Sequence, residues 1–212
     1  MLKARFLFHI SILLIVAIYG IVTYKKRDQR YKLLVLLVAL VFVSEFMTRV
    51  CAYIWNNSMP VYHILLPIQI VFYWLIFNSK LKSSFLIFVF GISLLFSLIY
   101  SSFLQSLLAF PSLSVCFLSL TVILASLIDL RRILNERIEL RLIENPDIWF
   151  NFGNIIFYSL TFFAFGLMNI GFDYLPDWVY TFIFFANLIL YVCYGIAIHY
   201  SGKEVIVDTF DN

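Results

Sequence analysis

LLVLLVALVFVSEFMTRVCAYIW, residues 33–55, decides the class of fold. Its only charged side chains are Glu45 and Arg49. A run of about 20 apolar residues forms a helix roughly 30 Å long, the thickness of a bilayer's hydrocarbon core. An amphipathic helix on a soluble domain would show a polar stripe over this length. Leu33 to Val43 shows none. Similar runs recur at 6–24, 60–78, 84–104, 110–130, 149–169 and 178–199, with Pro111 dividing the fourth run from the fifth. The chain is 63% hydrophobic and 13% charged, with a mean hydropathy of +0.98. Soluble domains average about 45–50% apolar and about 25% charged residues.

The expectation is an all-α polytopic membrane protein. Residues 1–200 form a seven-transmembrane-helix bundle, and 201–212 form a short cytoplasmic tail. A lipid-exposed backbone must satisfy its own hydrogen bonds, and a barrel would need alternating segments of about 10 residues. Trp55, Trp149 and Trp178 fall at the ends of runs, where interfacial aromatics belong. Lys3 and Arg5 precede an apolar core, as in a signal peptide. No small-x-small cleavage site follows, and the next block is the basic KKRDQRYK, so 6–24 is read as a retained helix.

The basic residues orient the bundle. The first connection holds Lys25, Lys26, Arg27, Arg30 and Lys32, the third Lys80 and Lys82, and the fifth Arg131, Arg132, Arg137 and Arg141. The second, fourth and sixth connections hold no Lys or Arg. The positive-inside rule places the odd connections in the cytoplasm, with the N-terminus outside and the C-terminus inside. Lys3 and Arg5 disagree but are outnumbered. The expected location is the cell membrane, the bacterial inner membrane if the source is bacterial. The net charge of +3 is spread between apolar runs and not gathered on one face, so nucleic acid is not an expected partner.

An intramembrane charge costs about 2.5–3.5 kcal/mol on insertion scales, which singles out Glu45 and Arg49. They stand at i, i+4 on one helix face, with Glu in the favourable N-terminal position. Two readings are open: a structural clamp between helices, or part of an outward-facing polar pocket. His63, Gln69, His9 and Asn187 are the other candidate pocket residues. The turn NNSM makes the second and third spans antiparallel neighbours, so His63 can approach Arg49 in depth. A pocket holding Arg49 and His63 beside Glu45 would attract an anion or a polar ligand. There is no His-x-x-x-His and no His-Glu-x-x-His, so no metal or cofactor is expected. His9, His63 and Glu45 are the set that folding could gather as two histidines and a carboxylate.

Two resemblances bear on function. SEFMTR resembles part of the first motif, Glu-Glu-x-x-x-Arg, of the membrane-embedded CAAX-type proteases. Ser44 replaces the first Glu, and the histidine motifs of that family are missing, which excludes membership. In SEF, NNSMPVYHILLPIQ and WFNFGNIIFYSLTFF the chain resembles small seven-helix membrane proteins of Bacteroidetes-type bacteria. That resemblance implies the seven-helix fold and carries no activity with it. A retinal protein is excluded, because the last run, 178–199, has no Lys for a Schiff base.

On the cytoplasmic side, Leu130, Leu134, Ile138 and Leu142 recur every four residues. The fifth helix is expected to run past the membrane to about Glu144, with Asp147 as N-cap of the sixth. Arg132, Glu136, Arg137 and Arg141 would then form a docking surface for a partner protein, or a solvated face lying on anionic headgroups. The expected partners are thus the bilayer and a cytoplasmic protein, with a homo-oligomer compatible. The functional expectation is a non-enzymatic sensor or regulatory subunit. The alternatives are a small-solute or proton-coupled transporter and a membrane-embedded lipid-modifying enzyme.

The topology is testable with cysteines placed at Asn57→Cys and Asp208→Cys. An impermeant maleimide should label position 57 in intact cells, and position 208 only after permeabilisation. The reverse pattern would invert the bundle.

Overall fold

The computed structural model describes residues 2–104, 106–135, 142–169 and 177–207, and no strand occurs among them. The chain folds into helices α1 (Leu2–Val22), α2 (Gln29–Trp55), α3 (Met59–Leu81), α4 (Ser84–Ile99), α5 (Ser112–Asn135), α6 (Pro146–Asn169) and α7 (Asp177–Val207). Six spans among the described residues are apolar and long enough to cross a bilayer: α2, α3, Ser84–Phe103 (α4 with the π-helical turn after it), α5, α6 and α7. Among its described side chains, α1 is apolar over the shorter stretch Leu7–Val22. This is a helical, multi-pass membrane protein. Its surface agrees: Phe46, Ile64, Phe88 and Phe163 are each at least 60% exposed, a cost in water that lipid removes.

The helices overrun the apolar runs at the basic end, because polar groups cap them there. Asp28 caps α2, its carboxylate accepting from the Gln29 N–H at 2.7 Å. Asn145, not Asp147, caps α6: Asn145 Oδ1 accepts from the Asp147 N–H at 2.9 Å, and Pro146 takes the first helical position. Asp147 is freed to turn inward. Leu142–Glu144 forms a 3-10 turn, and the expected extension of α5 over 136–141 lies outside the described residues. The indole of Trp149 holds that turn, donating to the Ile143 carbonyl at 2.7 Å. Residues 201–207 continue α7, and the rest of the expected tail, 208–212, lies outside the described residues.

Each helix packs on the next in sequence, and α1 closes the circle against α7. Two cross-contacts, α2 on α7 and α3 on α5, draw an inner ring of α2, α3, α5, α6 and α7. The helices α1 and α4 lie outside it, in the clefts that these cross-contacts leave. One end of the bundle gathers the basic connections. Arg27 there donates to the His199 carbonyl at 3.1 Å and to Ser201 Oγ at 3.3 Å, tying the α1–α2 connection to α7. Lys80 pairs with Asp28 at 3.3 Å across the α1–α2 and α3–α4 turns. Arg27 and Arg30 are buried, so two of the five basic residues in the first connection serve packing as well as orientation.

Close approach of α6 to α7 depends on Gly153. A Cβ there would lie 2.8 Å from Cys193 Cβ, on a helix that cannot swing away. Gly91 on α4 meets nothing within 4 Å. Gly153→Ala should therefore cost about 1–3 kcal/mol by overpacking, read as a lowered unfolding midpoint in detergent. Gly91→Ala should stay within about 0.5 kcal/mol of the parent.

Candidate functional site

Four helices of the inner ring turn polar stripes toward the bundle axis. On α2, Val38, Val41 and Glu45 share a face; on α3, Tyr62, Leu66, Gln69 and Tyr73; on α6, Asn154, Tyr158, Thr161 and Phe165; on α7, Asn187, Tyr191 and Tyr194. Each set keeps the i, i+3, i+4 spacing of one helix face. Where the stripes meet they enclose a cavity of about 220 Å³, completed by Val115 and Leu118 of α5. At about 30 Å³ per water this is room for roughly seven waters, somewhat below the range of about 300–1,000 Å³ usual for drug-sized ligands.

The roof is aromatic. Phe110, in the α4–α5 connection, stacks on Phe165 with centroids 4.6 Å apart and meets Tyr62 edge-on at 5.5 Å. The floor is a chain of hydroxyls. The Tyr73 and Tyr194 oxygens are 2.7 Å apart, and Tyr194 donates to Asn154 Oδ1 at 2.5 Å. Tyr158 stands edge-on to Tyr73 at 5.5 Å.

Beneath the floor the bundle is filled by stacked, buried rings. Tyr194 stacks on Phe150 at 5.7 Å, Phe150 packs on Phe77 at 5.4 Å, and the Arg30 guanidinium lies 4.8 Å from the Phe150 ring centre. Phe150 and Phe77 are wholly buried. Arg30 then opens a four-charge cluster. It donates to Asp129 at 2.6 Å and to Asp147 at 2.8 Å. Arg132 reaches Asp129 at 3.0 Å and Asp147 at 3.2 Å. Tyr31 donates to Asp147, and Asn151 to Asp129 at 2.7 Å. Two cations thus face two carboxylates at the junction of α2, α5 and α6. Burying charge is tolerable only with such pairing.

The structure separates the residues that sequence reading grouped. Glu45, Gln69 and Asn187 line the cavity. Arg49 does not; it is exposed beyond Glu45, although its charge acts on both Glu45 and Tyr62. His63 does not either. Its ring is buried between Ser101 Oγ, 2.8 Å from Nδ1, and the Ala109 carbonyl, 2.9 Å from Nε2. It is a strut that holds the connection carrying Phe110. His9 packs edge-on against Tyr191 at 5.3 Å, from α1 and outside the cavity wall. Glu45, Arg49 and His63 therefore do not share one cavity, and His9 and His63 do not converge with Glu45. Among the described residues no three His, Cys, Asp or Glu side chains gather as a metal site. Arg132 is engaged by Asp129 and Asp147 and is not a free docking cation. Glu136, Arg137 and Arg141 lie outside the described residues.

Sequence reading missed the cluster and the tyrosine floor. Asp129 carried a signal: a carboxylate in the last turn of an apolar run, three residues from Arg132. The ladder Asn151, Asn154, Tyr158, Thr161 on α6 carried another, at helical spacing in a largely apolar run. No protein-family model, curated protein or solved structure matches the chain.

Breaking the cluster should be costly. Arg30→Leu or Asp129→Leu alone should lower stability by about 3–5 kcal/mol, because each strands a buried charge. The double variant should cost less than the sum, as unfolding in a detergent titration would show. Strict additivity would mean that the pair carries no coupling.

Proposed function

We propose that this protein is a membrane sensor or regulatory subunit that binds a small molecule in the Glu45 cavity. The observation that carries the reading is the asymmetry of that cavity. Polar groups from α2, α3, α6 and α7 converge on it, while its floor rests on packed aromatics and a fully paired ion cluster. A site walled off on one side suits reception, and a conducting path would need an opening there.

In this reading all seven helices span the cell membrane, with the N-terminus outside, the cavity in the outer half and the ion cluster at the cytoplasmic face. Ligand contact with Tyr73 and Tyr194 bears on Asn154. Asn151 lies on the same face one turn along α6 and holds Asp129. The cluster joins α2, α5 and α6, so a small rotation of α6 changes how the α5–α6 connection is presented to a cytoplasmic partner. The transporter alternative uses the same cavity but must open the stack of Phe77, Phe150 and Tyr194. A lipid-modifying enzyme would need a nucleophile or a metal-binding set beside the cavity, and its lining offers one carboxylate, two carboxamides and hydroxyls.

The test uses the full chain in nanodiscs with a fluorophore at Glu144→Cys. A library of neutral, anionic and cationic compounds of about 15 heavy atoms or fewer is screened by thermal stabilisation. At least one compound should stabilise the parent, fail on a cavity-filling Leu118→Trp variant and change the fluorescence. Tyr194→Phe should keep binding and blunt that change. Uptake of the compound into proteoliposomes with no fluorescence response would replace the sensor with the transporter.

A further inference from the structure

We infer that the cavity is built for a small organic cation, an alkylammonium or quaternary ammonium group. This rests on the cavity being a ligand site, as proposed above, and names the ligand's chemistry. It also departs from the anion that sequence reading allowed. An anion or a polar ligand was expected because Arg49 and His63 were placed beside Glu45. Neither lines the cavity, and among its lining residues Glu45 is the sole Asp, Glu, Lys, Arg or His.

The other lining groups lean the same way. Tyr194 has one proton and gives it to Asn154 Oδ1, so in the 2.7 Å contact between the two hydroxyls Tyr73 must be the donor. Both of these protons are therefore directed along the chain toward α6. Asn187 donates Nδ2 to the Ile183 carbonyl of its own helix at 2.9 Å, which keeps Oδ1 for another partner. The Glu45 carboxylate and Asn187 Oδ1 are thus acceptors on the lining that suit a ligand that donates or carries positive charge.

The walls add a second attraction. Tyr62 of α3 and Tyr191 of α7 line the cavity together with Glu45. Phe110, Phe157, Tyr158 and Phe165 complete an aromatic enclosure. Aromatic faces carry negative potential, and cages of this kind hold quaternary ammonium groups. A carboxylate among aromatic rings suits a cation whose charge is spread over methyl groups. The volume of about 220 Å³ suits tetramethylammonium or choline and excludes large lipids.

The probes are tetramethylammonium, choline, the neutral choline isostere 3,3-dimethylbutan-1-ol, and acetate, each titrated against the full chain in nanodiscs at constant ionic strength. Both cations should raise the unfolding midpoint in a saturable way, with the neutral isostere at least tenfold weaker and acetate without effect. Glu45→Gln should weaken choline tenfold or more and leave the isostere unchanged. Tyr62→Leu offers a second variant if Glu45→Gln fails to fold, and it should weaken both cations. Equal binding of choline and its isostere by the parent would overturn the cation assignment while leaving a ligand site. Acetate as the tighter ligand would also overturn it. No response to any probe or to the wider library would overturn both this assignment and the ligand-site reading.

Discussion

Arg30 is the residue on which the arrangement of the bundle turns. It enters in the first turn of α2 and is almost wholly buried, between a carboxylate from α5 and another from α6, with ring faces from α3 and α6 beside it. A guanidinium has five donors in a fixed fork, so its partners must arrive from set directions. That requirement fixes how α2, α5 and α6 meet. Hydrophobic burial cannot do this alone in lipid, where an apolar helix face gains little by leaving the bilayer for a neighbour. Paired charge supplies the direction that apolar packing lacks. Arg132 closes the account of charge, so the cluster is neutral as a unit.

The cavity follows from that anchoring. With the basic end pinned by Arg30 and by Arg27, the inner ring is free to hold a gap further along the axis. Its polar groups come from four helices. Gly153 keeps α6 and α7 close on one side. His63 and Asn57 hold the α4–α5 connection on the other, Asn57 donating to the Leu108 carbonyl at 3.2 Å. The cavity is therefore a product of fixed ends and a polar middle.

Glu45 shows how the same residue reads differently in one and three dimensions. In the sequence its partner is Arg49, one turn away. In the fold Arg49 faces outward while Glu45 faces the cavity, so the pair straddles the wall of the bundle. His63 shows the opposite change. Its depth and its neighbour across the NNSM turn made it a pocket group, but both ring nitrogens are taken by Ser101 and Ala109. A buried imidazole with both nitrogens occupied has nothing left for a ligand.

What the sequence by itself determined was the membrane class, the helical state and nearly every helix. These depend on local quantities: the length of an apolar run, the cost of an unpaired backbone group in lipid, and breakers such as Pro111. The starts of α2 and α6 were misplaced by about a turn, because capping by Asp28 and Asn145 carries a helix past its apolar run. Only the tertiary structure decided which polar residues meet. Arg30, Asp129 and Asp147 are far apart in the chain, and each had a plausible local role as a basic loop residue, a helix-end charge or an N-cap. Helix rotation about its own axis selects between such roles, and that rotation is set by the neighbours a residue pairs with. The sequence carries those pairings only as isolated polar residues, and they become a site when the helices close around them.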